Sequence, residues 1–113
     1  MECIFVTLFG VVDGAELLEA QKILFEDPAF RGEYSRLIDA SQCDYLAIDG
    51  VTVYYVSKSA ERRGLKRAAL VANNSVQFGL MRMYEGYNPS ATCEVFRDVA
   101  TAIKWLAPPP VAQ

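Results

Sequence analysis

Asp49-Gly50-Val51-Thr52-Val53-Tyr54-Tyr55-Val56-Ser57-Lys58-Ser59-Ala60-Glu61-Arg62-Arg63-Gly64 is the stretch on which the architecture turns. Its centre, Val51 to Val56, is β-branched and aromatic, and local propensity there favours a strand. Its ends favour a helix: Asp49 is a good N-cap, Ser57 to Arg63 reads as a helical continuation, and Gly64 stands where a helix places its left-handed C′ residue. Taken alone, the local signals balance. The flanks decide. Short apolar runs lie on both sides, and two buried strands that point the same way need a crossover of about a dozen residues between them. The stretch is therefore read as a helix.

Upstream, Ser35 to Ala40 is the strand that feeds this helix, and the polar Ser41-Gln42-Cys43-Asp44 after it reads as a loop. Residues 3 to 9, Cys-Ile-Phe-Val-Thr-Leu-Phe, form a first strand that Gly10 ends. Asp13 with Glu16 makes a capping box for a helix over residues 14 to 26, which stops before Pro28. Downstream, Arg67 to Ala72 is nearly unbroken apolar sequence, the pattern of a strand covered on both faces. Asn74 or Ser75 caps a third helix that runs to about Tyr84 and is terminated by Gly86-Tyr87-Asn88-Pro89. Thr92 to Phe96 is a fourth strand, and Asp98 caps a last helix whose inner face carries Ala102, Ile103 and Leu106. Pro108-Pro109-Pro110 forbids its continuation, so residues 1–107 read as one domain and 108–113 as a flexible proline-rich tail.

Strands alternating with helices imply an α/β fold: a single layer of mostly parallel four-stranded sheet with four alternating helices. The expected core is Ile4, Val6, Leu8, Leu17, Leu37, Ile38, Leu70, Val71, Leu80, Val95, Ile103 and Leu106. A chain of 113 residues with 52% hydrophobic content makes one such core and not two.

Several functions are disfavoured by composition. The formal charge of -3 gives no attraction to phosphate backbones, so no nucleic acid partner is expected. The basic residues Arg62, Arg63, Lys66 and Arg67 cluster around Gly64, where positive charge meets a helix C-terminus. No apolar run reaches the ~18 residues of a membrane span and no export signal opens the chain, so a cytoplasmic protein without a membrane span is expected. Histidine is absent, which removes Ser-His-Asp, Cys-His and HExxH chemistry. Cys3, Cys43 and Cys93 are too far apart for a CxxC pair or a zinc site and read as reduced thiols. Neither GxxxxGK[ST] nor GxGxxG occurs. No cofactor, metal ligand set or catalytic residue is assigned.

Three segments in order, Leu37-Ile38-Asp39-Ala40-Ser41, Ala47-Ile48-Asp49-Gly50-Val51 and Ala60-Glu61-Arg62-Arg63-Gly64, resemble the middle of a STAS domain. That fold is shared by bacterial anti-sigma-factor antagonists and the C-terminal regions of sulfate transporters. Asp27-Pro28-Ala29-Phe30, Phe78 to Glu85, and Val95-Phe96-Arg97-Asp98 leading to Trp105-Leu106 are similar to stand-alone bacterial STAS-like proteins. The resemblance spans roughly residues 3 to 106. It implies a non-enzymatic binding or regulatory module, homodimeric, that docks a protein partner or a small apolar ligand.

Two departures stand against the pattern. STAS antagonists carry Asp-Ser-Ser-Gly at the start of the second helix, where a serine accepts phosphate; the matching stretch is Ala47-Ile48-Asp49-Gly50, and only the glycine is kept. Ser41 or Thr52 replaces that serine only with a different geometry. Such domains also usually open with an additional strand, without which the sheet edge is open unless another subunit pairs with it.

Polar residues at strand C-termini and helix mouths supply the candidate binding set: Asp39, Ser41, Asp49, Thr52 and Asn74, with Arg82 and Tyr84 on the third helix. Capping and turn formation account for most such residues elsewhere. Met81, Met83, Tyr84 and Tyr87 place apolar groups on several sides of that helix, more than one inner face needs, and suit a contact surface. The competing reading is a small enzyme with an acidic cleft of Asp39 and Asp49 formed on oligomerisation.

Overall fold

The stretch from Asp49 to Gly64 coils. In the computed structural model, which describes residues 3–31 and 33–107, helix α2 spans Gly50–Arg62. The Asp49 side chain accepts a hydrogen bond from the Thr52 N–H at 2.9 Å, and Gly64 follows the C-cap at φ 79°. Propensity loses here because Val53, Val56, Ser57 and Ala60 form a buried stripe at helical spacing, and tertiary burial outweighs the few tenths of a kcal/mol per residue that β-branching costs.

The elements alternate strictly: β1 (Cys3–Asp13), α1 (Gly14–Glu26), β2 (Ser35–Ala47), α2, β3 (Arg67–Val71), α3 (Ser75–Tyr87), β4 (Thr92–Phe96) and α4 (Val99–Leu106). Every pairing is parallel and the strands lie in chain order, β1-β2-β3-β4, so successive right-handed units wind the sheet without a switch point. The expected N-caps are all in place. Asp13 makes its capping box with Glu16, Asn74 accepts from Gln77 N–H, and Asp98 accepts from Thr101 N–H.

Several boundaries differ from the sequence reading. Gly10 does not end β1; it takes φ 60°, a left-handed value suited to glycine, and the strand continues to Asp13. The expected loop Ser41 to Asp44 is strand, because β1 stays paired beside it: Phe9 is opposite Gln42 and Val11 opposite Tyr45, with extra β2 residues absorbed at two register shifts. Beyond Asp39, β2 has no register with β3, so β1 and β2 run on as a two-stranded ribbon. Helix α3 runs a turn past Tyr84, to Tyr87. The proline-rich 108–113 lies outside the described residues.

The two faces of the sheet are covered unequally. Leu8, Val12, Ile38, Ala40, Leu46, Ala68, Leu70 and Val95 face α1, α2 and α3 in the main core. Leu37, Ala69 and Val71 face α4, packing with Ala102 and Leu106. Ile103, expected in the core, is 44% exposed, because α4 turns Ala102 and Leu106 inward and leaves Ile103 beside them in solvent. Ile4, Val6, Leu17 and Leu80 are half-buried at the core's margin. Arg67 leaves the expected basic cluster: its guanidinium stacks 4.0 Å from the Trp105 ring and donates to the Trp105 carbonyl at 2.7 Å, pinning the C-terminal turn of α4.

Arg36 is the unexpected member of the main core. Only 2% exposed, it donates to Gln21 Oε1 at 3.0 Å and to the Tyr84 hydroxyl at 2.7 Å, while its Nε has no partner. Gln21 Nε2 in turn donates to the Val56 carbonyl, and Ser57 Oγ to the Tyr84 carbonyl. One guanidinium thus ties α1 and α3 to the start of β2, and the polar groups around it reach α2.

Candidate functional site

The helix α2 carries a second apolar stripe. Val51, Tyr54, Tyr55 and Lys58 sit at i, i+3, i+4 and i+7 on the side away from the buried Val53, Val56, Ser57 and Ala60. Val51 is 62% exposed and Tyr55 54%. Aromatic groups from two helices meet there: the Tyr54 and Tyr87 rings lie edge to face at 5.3 Å, and Tyr54 meets Tyr55 at 5.7 Å in the same manner. Together with Asp49, Gly50 and Val51 the three tyrosines line an open cleft of about 460 Å³. Met83 of α3 adds its methyl over the start of α2, where a Cβ on Gly50 would come within 2.9 Å of it. Lys58 lies 5.8 Å from the Tyr54 ring and pairs with Glu61 at 3.4 Å, and Glu61 accepts from Ser90 at 2.9 Å.

The cleft's one fixed charge is Asp49. The Thr52 backbone N–H and then its hydroxyl hold the Asp49 carboxyl below the usual range, so it is ionised at neutral pH. Thr52 itself packs against the opening of α1, its Oγ1 3.0 Å from where a Cβ on Gly14 would stand.

The other candidate residues are dispersed. Asp39 lies within β2, opposite Thr7 and Val71, and accepts from the Ser41 N–H at 2.9 Å; each thereby satisfies the other locally. From Asp39 to Ala47 the chain is strand, paired along Thr7 to Asp13 and so spanning about 20 Å, and within one chain Asp39 and Asp49 share no cleft. Asn74 caps α3, and its neighbours Asn73 and Gln77 both donate to the Cys43 carbonyl, which anchors that helix to β2. Arg82 is exposed and pairs with Glu85 at 3.4 Å. Tyr84 is buried in the Arg36 network, where desolvation raises its hydroxyl pKa. Of the candidate set, only Asp49 lines the aromatic cleft and Thr52 adjoins it.

The sequence reading did not single out Val51, Tyr54 and Tyr55. The strand-like composition of Val51 to Val56 was their signal: once the stretch is helical, six apolar or β-branched residues in succession are too many for one inner face.

The three thiols are shifted away from reactivity. Burial raises the thiols of Cys3 and Cys43, and pushes Cys93 up to about 11, away from the reactive thiolate. Among the described residues no three His, Cys, Asp or Glu side chains gather into a metal-binding group, and no helix is long and apolar enough to cross a membrane.

Four parallel strands alternating with four helices, wound in chain order, make the SpoIIAA-like fold, the fold of STAS domains. The solved structure of an uncharacterised DUF3478-family protein from Shewanella loihica PV-4, itself described as SpoIIAA-like, superposes with a TM-score of 0.60 over 89% of this chain and 81% of that one, at 18% identity. No protein-family model matches the chain, and no curated protein does.

Proposed function

We propose that the chain is a non-catalytic STAS-type module that docks a protein partner through the tyrosine-lined cleft between α2 and α3. The observation that carries this is the second stripe on α2. Val51, Tyr54 and Tyr55 do no packing against the sheet, yet they are joined by Tyr87 and Met83 of α3 in one apolar, open surface. Tyrosine and methionine are the residues that interfaces enrich, because they offer large contact area together with a hydrogen-bonding tip or a flexible stem.

Magnitude favours a protein over a small apolar ligand. The cavity between the sheet and the helices, lined by Leu8, Ile38, Leu70, Met81 and Tyr84 among others, holds about 50 Å³. An apolar cavity of about 150 Å³ is what admits benzene. The surface cleft is broad but open, a shape that suits a protruding side chain or helix from another protein.

The two serines of the STAS pattern fall on Ile48 and Asp49, neither of which accepts phosphate, and Asp49 is ionised at neutral pH. Docking at this cleft is accordingly constitutive and not gated by phosphate.

The test is affinity capture from the native host with wild type and with the Tyr54→Ala/Tyr55→Ala variant. Both side chains lie outside the sheet core, so circular dichroism should be unchanged and the melting temperature should fall by only a few degrees, through loss of the Tyr54–Tyr87 contact. A partner should be retained by wild type and weakened in the variant by roughly thirtyfold or more per anchoring tyrosine. Equal retention by both proteins would refute the assignment.

A further inference from the structure

The opposite face of the sheet carries a second unabsorbed feature. Helix α4 covers β3 and the start of β2, and leaves β1 bare: Phe5 is 62% exposed, Phe9 66% and Val11 62%. Among the described residues β1 pairs only with β2, so its outer edge presents free N–H and C=O groups. Edge strands are ordinarily guarded by charge, proline or brevity. The sheet's other edge, β4, is guarded in this way, being five residues long with Glu94 exposed at its centre. From Cys3 to Val12, β1 contains neither a charged residue nor a proline.

We infer that β1 is a homodimer seam: two copies of this chain join β1 to β1 antiparallel about a two-fold axis at Thr7, making one continuous eight-stranded sheet. An axis normal to the sheet keeps each copy's bare face on the same side. In that register Thr7 meets its own copy, Phe5 lies opposite Phe9 twice over, and on the helical side Val6 lies opposite Leu8. No other face-preserving register pairs both phenylalanines with aromatic partners, the cross-strand pairing that most favours a sheet.

A second copy fits this edge better than an unrelated strand, because the edge is complementary to itself in length, neutrality and aromatic spacing, as an isologous contact demands. The register shifts do not interrupt it, since the extra residues belong to β2 and β1 keeps its alternation through Phe9. Nine residues of strand span about 30 Å. With two half-covered phenylalanines per copy, the seam buries on the order of 1,000 Å², the lower end of what a specific interface needs. A reversible dimer follows.

The seam runs along the β1 edge, away from the tyrosine cleft between α2 and α3, and does not depend on it. Light scattering on the full chain during size-exclusion chromatography, over micromolar concentrations, should give twice the 12.5 kDa chain mass. The Phe5→Lys/Phe9→Lys variant sets like charges opposite one another at both aromatic pairs and should be monomeric, with an unchanged circular dichroism spectrum and a melting temperature that no longer depends on protein concentration. The Phe5→Lys/Phe9→Glu variant sets opposite charges there and should return to the dimer. Amide exchange of the β1 N–H groups that point away from β2 should be slow in wild type and fast in the like-charged variant, while those bonded to β2 stay protected in both.

A monomeric wild type, a dimer that survives the like-charged variant, or a charge-paired variant that stays monomeric would each overturn the seam. The Tyr54→Ala/Tyr55→Ala variant should remain dimeric, so the loss of partner docking and the loss of the seam are separately visible.

Discussion

The face of the sheet beneath α1, α2 and α3 and the face beneath α4 are built by the same four strands, yet adjacent residues on them have opposite fates. Leu8 is 8% exposed and Phe9 66%, although both are large apolar side chains on one strand. Three helices close over the first face and draw even a guanidinium into its core. One helix of eight residues covers part of the second. Burial here is decided by how many helices return to each side of the sheet, and residue type follows only where a helix is available to cover it.

Arg36 offers the sharpest way to break the covered face. Arg36→Ala removes the donor to Gln21 and to the Tyr84 hydroxyl, leaving both acceptors buried and a cavity beside them. We expect a loss of about 4 kcal/mol in urea unfolding. Lysine should not rescue it, since an ammonium cannot reproduce the forked contact with two acceptors.

Leu8→Ala and Phe9→Ala test the comparison on one strand. Leu8→Ala should cost about 2–4 kcal/mol, since Leu8 already lines the core cavity and its loss enlarges it. Phe9→Ala should change unfolding of the monomer by less than about 1 kcal/mol, as befits a side chain two-thirds exposed within its own chain. Equal costs would show that α4 is not the limit of coverage on its face.

The smallest effect is alkaline. Burial, with Glu85 adding to it and Arg36 opposing, pushes the Cys93 thiol up to about 11 from an ordinary 9.0. Its folded value lies above its unfolded one, so the contribution of the neutral thiol is whole below pH 9 and is lost as pH rises from 9 to about 11. Melting temperature should fall across that window, and Cys93→Ala should make the fall shallower. The raised Cys3 and Cys43 thiols and the raised Tyr84 hydroxyl contribute what decline remains.

Local signals carried the elements well. Residue type and spacing mark Asp13, Asp49 and Asp98 as N-caps and leave Asn74 or Ser75 for the third helix; Asn74 takes that place, and each of the four accepts a backbone hydrogen bond. The errors share one cause: they lie where a partner distant in sequence rewrites a local rule. Ser41 to Asp44 is polar enough for a loop, but β1 alongside supplies its ladder. Arg36 has the charge of a surface residue, but Gln21 and Tyr84 come from helices 15 and 48 residues away to receive it. Tyr84 was placed with the contact residues for the same reason and belongs to the core. Of the site, Asp49 was legible from its capping chemistry. The tyrosines beside it were not, because a helix that packs on one side and a helix with two apolar sides differ only once the sheet is in place.

The amino-acid sequence by itself determined the alternation of strands and helices, the helix starts and the parallel winding, because caps, hydrophobic period and crossover length act within some twenty residues. Only the tertiary structure decided which apolar residues are left over. Coverage depends on where each returning helix lies on the sheet, and that placement left Val51, Tyr54 and Tyr55 on one side of the molecule and Phe5 and Phe9 on the other.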